Sequence, residues 1–139
     1  MKMRSWCLPD SKFVILRDQD SGDCQTVKEQ LDAMCRESGR EDYIVRIACK
    51  ELETFYLGDL EAVAGAFGIR GLANKQNARK FRDPDAFGNP KQELKRLTKG
   101  MYQQLHGSRE IARRMKPERN CSHSFRILIM GIVQLIGEK

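Results

Sequence analysis

Long apolar runs are missing from this sequence, and no segment approaches the roughly 18 uninterrupted apolar residues of a membrane-spanning helix. The most apolar stretch, residues 127–136, is short and interrupted by Gly131 and Gln134. The N-terminus carries Trp6, Cys7 and Pro9 where a signal peptide would have its apolar core. Histidine is scarce, with two in all, and the five cysteines (Cys7, Cys24, Cys35, Cys49 and Cys121) include no C-x-x-C pair. Their odd number and their spacing fit neither a zinc site nor a disulfide framework. Cys121-x-His123 offers two metal ligands without a second pair. Repeats and low-complexity tracts are also lacking. The expectation is a cytoplasmic protein with reduced, mostly buried thiols and no membrane partner.

What remains is one domain's worth of chain. Its 139 residues are 40% hydrophobic and 32% charged, the balance of a globular protein with a real core. The charge is unevenly spread. Residues 1–69 hold 9 Lys/Arg and 13 Asp/Glu, a balance of −4, whereas residues 70–126 hold 15 against 5, a balance of +10. An acidic half followed by a basic half suggests metal chemistry beside a polyanion-binding surface. Solvation of helix faces by lysine and arginine accounts for the basic half equally well.

Lys12-Phe13-Val14-Ile15-Leu16 is a β-branched apolar run that reads as a strand buried on both faces, as in parallel sheets. It stops at Arg17-Asp18-Gln19-Asp20-Ser21-Gly22-Asp23, a loop dense in Asp, Ser and Gly. Val27, Leu31, Met34 and Cys35 then mark one face of a helix, and residues 43–49 form a second strand-like run. Strand, helix and strand make a βαβ unit with a right-handed crossover. Two strands leave two open edges and too little apolar cover, so a further segment or a partner is expected to complete the sheet.

Beyond Cys49 the spacing turns helical. Leu52, Phe55 and Tyr56 begin one helix. Asp59 caps a second that buries Leu60, Val63, Ala64 and Phe67 and ends at Gly68. A basic, turn-rich region from Gly71 to Gly88 follows. Asn89-Pro90 opens a helix with Leu94 and Leu97 inward. Ser108 is expected to cap another through Ile111, Ala112 and Met115, and Ser122 a last one that buries Phe125, Leu128, Ile129, Ile132 and Leu135. The division expected is residues 1–69 as an α/β core and residues 70–139 as a basic, mainly helical extension packed on it.

The chemistry centres on Asp18-x-Asp20. Residues two apart in an extended chain point the same way, so both carboxylates can converge on one hard cation. Magnesium keeps several waters and needs only one or two protein carboxylates. The carboxyl end of a parallel strand is also where open α/β sheets bind ligands. An acidic turn that merely caps the next helix fits the same residues.

Phe13 to Asp20, Asp23-Cys24, and Lys50-Glu51-Leu52-Glu53-Thr54-Phe55-Tyr56-Leu57-Gly58-Asp59 together resemble domain-of-unknown-function family 4276, a bacterial family that looks Toprim-related. Tyr102-Gln103-Gln104-Leu105-His106-Gly107-Ser108-Arg109-Glu110-Ile111-Ala112 and Asn120-Cys121-Ser122-His123-Ser124-Phe125 extend the similarity, which runs from about Ser5 to Gly131. The resemblance implies a partial Toprim-like (Rossmann-like) parallel sheet with a mostly helical C-terminal extension. It also implies Mg2+ or Mn2+ as cofactor, with Asp18 and Asp20 as metal ligands. The Toprim glutamate would lie in a strand-turn-helix segment upstream of residue 1, so an N-terminally truncated chain is expected.

Glu51 and Glu53, where the second strand gives way to a helix, could supply the missing acid or act as general base. As ordinary first-turn acids they would offset the helix dipole instead. Residues two apart on a helix do not share a face, so one of the pair, Glu51 by preference, is expected in the site. Lys75, Arg79, Lys80, Arg82, Lys95, Arg96 and Arg109 are the candidate nucleic-acid contacts. Phe81 among them would stack on a base or anchor its loop, the latter being favoured. A phosphate at Ser122 and Ser124 competes with a plain helix cap.

The leading expectation is a Mg-dependent Toprim-like nuclease or phosphodiesterase acting on nucleic acid. The resemblance adds a possible ATPase partner in bacterial defence, and a homodimer is also open. The alternatives are a non-catalytic nucleic-acid-binding or partner-binding subunit, and a phosphatase or nucleotide hydrolase using the same acids.

Overall fold

The apolar run at Phe13 forms strand β1 (Phe13–Asp18), and residues 43–48 form β2 (Tyr43–Ala48). These assignments come from a computed structural model, which describes residues 2–137. The strands pair in parallel, from Phe13 opposite Tyr43 to Asp18 opposite Ala48. Helix α1 (Cys24–Glu37) connects them. Asp23 caps it by accepting a hydrogen bond from the Thr26 backbone N–H at 2.9 Å. Val27, Leu31 and Cys35, one helical face, pack with Met3, Val45 and Ile47 as a first apolar cluster.

A second, larger cluster holds the helical remainder. It comprises α2 (Glu53–Leu57), α3 (Leu60–Phe67), α4 (Arg79–Arg82), α5 (Pro90–Leu97), α6 (Gln104–Ala112) and α7 (His123–Leu135), with 3₁₀ turns at Ala73–Asn77 and Pro84–Ala86. Phe55, Leu57, Leu60, Val63, Leu72, Leu94, Tyr102, Ile111, Phe125 and Leu128 are buried in it, with Ala48 of β2. Both α1 and α7 pack on β2. Arg46 of β2 crosses α7 where Gly131 leaves room, since a Cβ there would sit 2.5 Å from the guanidinium. The fold is therefore mixed α/β, a two-stranded parallel sheet followed by helices. No helix among the described residues is long and apolar enough to cross a membrane.

Several expectations on this level hold. Asp59 caps α3 through the Ala62 N–H, Gly68 ends it with a left-handed φ of 65°, Pro90 opens α5, and Ser122 caps α7 through the Phe125 N–H. Four are corrected. Met34, expected on the apolar face of α1, is 49% exposed. β1 is not buried on both faces: Val14 and Leu16 are 43% and 40% exposed, because α7 lies across β2 and leaves that side of β1 open. α6 starts after Gln103, so Ser108 is inside it and caps nothing. Leu135 is only half-buried near the open end of α7.

Candidate functional site

The β pairing runs past the strand ends and thereby places the acids. The Gln19 N–H donates to the Ala48 carbonyl and the Asp20 N–H to the Lys50 carbonyl, both at 3.0 Å. The loop after β1 is thus bound to the segment after β2, and Asp18-x-Asp20 is brought beside Lys50-Glu51-Leu52-Glu53. Asp20 adopts a left-handed φ of 54° as the chain turns toward Gly22. The three loop acids then part in role. Asp23 is the helix cap, and the Thr26 N–H and hydroxyl that it accepts hold its carboxyl below its ordinary range. Asp18 and Asp20 make no such cap.

Asp18 is half-buried at the end of β1. Burial raises its carboxyl above the ordinary range, the Leu52 backbone amide works against the rise, and Asp20 and Glu53 add to it. Glu51 is raised for the same leading reason, with Glu53, Asp18 and Asp20 crowding it and Lys91 opposing them. These two accounts put Asp18, Asp20, Glu51 and Glu53 in one electrostatic neighbourhood, with Lys91 as the nearby cation.

Glu53 is 1% exposed. Its Oε1 accepts a hydrogen bond from the Tyr102 hydroxyl at 2.8 Å, and that hydroxyl lies 3.2 Å from Ser108 Oγ. Burial, with Glu53 beside it, raises the Tyr102 phenol well above its ordinary range, so it remains a donor at any working pH. Among the described residues, two carboxylate oxygens, Glu51 Oε2 and Glu53 Oε2, are buried with no hydrogen-bond partner, as is Thr54 Oγ1. A buried oxygen without a donor is costly, more so when charged. Oxygens of this kind suit a hard cation, so the donor set fits magnesium or manganese. Even so, among the described residues no three acid, His or Cys side chains converge closely enough to ligate one ion unaided.

A family model for a domain of unknown function, DUF4276, matches residues 1–132. The chain belongs to this family. No curated protein and no solved structure matches it.

In this DUF4276 member the carboxyls of both Glu51 and Glu53 lie in the neighbourhood of Asp18. Glu51 precedes α2, whose first residue is Glu53, so the rule against i, i+2 pairs on a helix does not govern them. The basic candidates divide. Lys75, Arg79, Arg82, Lys95 and Arg109 are exposed and form no ion pair among the described residues. Lys80 and Arg96 both engage Glu93, Lys80 at 2.9 Å. Phe81 is 4% exposed and anchors its loop, as favoured. The N-terminus of α7 is filled by Asp85, which accepts from Ser122 Oγ at 2.7 Å, the His123 N–H at 3.1 Å and the Ser124 N–H at 2.9 Å. A phosphate there would meet that carboxylate.

Tyr102 was not foreseen. It is 49 residues from Glu53 in sequence, and only its place in the Tyr102–Ala112 segment marked it out. Lys91 was legible only as one basic residue among many.

Proposed function

We propose that this DUF4276 protein is a Toprim-like, magnesium- or manganese-dependent phosphodiesterase acting on nucleic acid. The observation that supports it is the pair of unpartnered, buried oxygens on Glu51 and Glu53 beside Asp18 and Asp20, at the carboxyl end of two parallel strands. Asp18 and Asp20 are the residues that would hold the cation. When bound, it supplies Lewis-acid stabilisation of phosphoryl charge. Glu51, with its raised affinity for a proton, accepts one from the attacking water. Glu53 is fixed in orientation by the Tyr102 hydroxyl. The exposed Lys75, Arg79, Arg82 and Lys95, unpaired among the described residues, hold the strand's backbone, with affinity that falls as salt rises. A Toprim-like sheet and an ATPase partner, which the family resemblance implies, belong to the same reading, as does a cytoplasmic location.

The test is titration calorimetry of Mg2+ and Mn2+ on this chain and on Asp18→Asn/Asp20→Asn, followed by cleavage of a labelled nucleic acid. Heat of binding lost in the double variant is expected, with cleavage lost in Glu51→Gln. Equal binding in both proteins would move the metal elsewhere and end the proposal.

One observation favours a second reading, a non-catalytic nucleic-acid-binding subunit: no three ligands converge among the described residues. Salt-sensitive binding of nucleic acid that ignores magnesium would support it.

A further inference from the structure

Lys91 stands apart from the other cations of the basic half. It lies in the first turn of α5, whose rotation is set by buried Pro90, Leu94 and Leu97 and which packs on α2, the helix that begins at Glu53. The same helix carries Arg96, which is committed to Glu93 together with Lys80 of α4. Lys91 is half-buried and near enough to Asp18 and Glu51 for its charge to oppose the rise of both carboxyls, yet it forms no ion pair with either among the described residues. A lysine this near two acids is placed to close onto one of them. Holding it in range but off contact leaves space for a group that is itself negative, with the cation of the acidic site balancing the carboxylates.

The next lysine on that helix is Lys95, four residues on and one turn away, exposed and likewise unpaired among the described residues. Four residues advance a helix by about 6 Å, comparable to the step between neighbouring phosphates of an extended strand. The stripe therefore begins at the acids and leads away from them along α5.

We propose that Lys91 binds the phosphate positioned at the acidic site and Lys95 the next phosphate of the same strand, so that the substrate is a polynucleotide rather than a single nucleotide. The inference rests on the reading of the four acids as a cation site. It differs from a general basic surface in giving the strand one track and in making Lys91 a catalytic residue, one that touches the reacting phosphate.

The two roles pull metal and polynucleotide in opposite directions at Lys91. Removing its charge leaves the carboxylates less compensated, so a divalent cation is held at least as well, while the phosphate loses a partner. The experiment uses the full chain, Lys91→Ala, Lys91→Arg and Lys95→Ala, with three probes: Mn2+ alone by calorimetry, a fluorescent single strand of about 12 nucleotides, and a mononucleotide. Both nucleic-acid probes are measured with and without Mn2+. Lys91→Ala is expected to keep or raise Mn2+ affinity and to lose roughly tenfold in strand affinity when Mn2+ is present, with Lys91→Arg restoring most of it. Lys95→Ala is expected to leave Mn2+ and mononucleotide binding alone, to weaken strand binding and to lower its salt slope by about 1.

Strand affinity unchanged in Lys91→Ala, with Mn2+ binding intact, overturns the role of Lys91 while sparing the acidic site. Equal losses on strand and mononucleotide in Lys95→Ala overturn the track. No Mn2+ binding by the unaltered chain overturns the reading of the acids and, with it, the placing of Lys91 on a reacting phosphate.

Discussion

Glu53→Gln should make the metal-free protein more stable and the metal-loaded protein no better. The substitution keeps the side chain's shape and its acceptor for the Tyr102 hydroxyl, which bonds Oε1 at 2.8 Å. It replaces the orphaned Oε2 by an uncharged amide NH2 and so removes the charge that crowds Glu51 and Asp18. Leaving a buried charged oxygen without a partner costs at least ~1–3 kcal/mol, and removing a buried, uncompensated charge recovers a comparable amount. A gain of about 2 kcal/mol is expected, which for a domain of this size raises Tm by about 6 °C. A bound cation reverses the order, because a ligand at a hundred times its Kd stabilises the unaltered protein by about 2.7 kcal/mol. Thermal and urea unfolding of both proteins, with EDTA and with saturating Mn2+, reads all four states. Glu53→Gln melting lower than the parent in EDTA, with the Mn2+ shift retained, would refute the reasoning, since Glu53 would then be an ordinary core acid already satisfied.

Three further outcomes follow from the same geometry. Asp23→Ala should lower stability modestly by uncapping α1 and leave the Mn2+ shift intact, separating the cap from its neighbours Asp18 and Asp20; calorimetry and melting on one sample suffice. Asp18 and Glu51 bind protons more tightly when folded, from ordinary values of 3.8 and 4.5 upward, so their contribution to stability is present at low pH and lost as pH rises through the raised values. The metal-free protein should therefore lose stability as pH climbs above about 4.5 toward neutrality, and Asp18→Asn/Glu51→Gln should flatten that slope in urea titrations at stepped pH. Gly58→Ala should cost roughly 2–4 kcal/mol by urea unfolding, since overpacking adds to lost hydrogen bonds; its Cβ would sit 2.1 Å from Asn120 Oδ1 and 2.8 Å from the Ser122 nitrogen.

The parts of the fold that one element can specify alone were legible in the sequence. The Val27, Leu31, Cys35 face of α1, the Asp59 and Ser122 caps, and the left-handed Gly68 each depend on residues within a turn or two. What was misread depends on distant packing. β1 has the composition of a doubly buried strand, and only the position of α7 across β2 shows that Val14 and Leu16 face outward. Ser108 has the right chemistry for a cap, but the backbone turns helical at Gln104, and the hydroxyl ends beside Tyr102 instead. For the site, Asp18-x-Asp20 was readable because a strand end is a local event. That Glu51 and Glu53 escape the rule against i, i+2 pairs on a helix was not, because it turns on where α2 starts. Tyr102 was hidden by 49 intervening residues.

Acids elsewhere in the same chain show what a structural carboxylate looks like here. Asp59 is 1% exposed and accepts from the Ala62 and Lys116 N–H groups and from Arg119 Nε at 2.7 Å and Nη2 at 3.1 Å. Asp85 takes three donors at the start of α7. Both are satisfied many times over, and both join distant segments. Glu53, as deeply buried as Asp59, has one donor for two oxygens, and Glu51 has an orphaned oxygen with three acids beside it. A fold that meets the needs of Asp59 and Asp85 so fully had the means to do the same for Glu51 and Glu53. The contrast yields opposite signs. Asp59→Asn and Asp85→Asn remove charge from donors that require it and should lower Tm with or without Mn2+. Asp18→Asn and Glu51→Gln relieve crowding and should raise Tm in EDTA while shrinking the Mn2+ shift. Melting curves in which all four substitutions behave alike would make the acidic cluster one more structural feature, and the case for a cation site would fall with it.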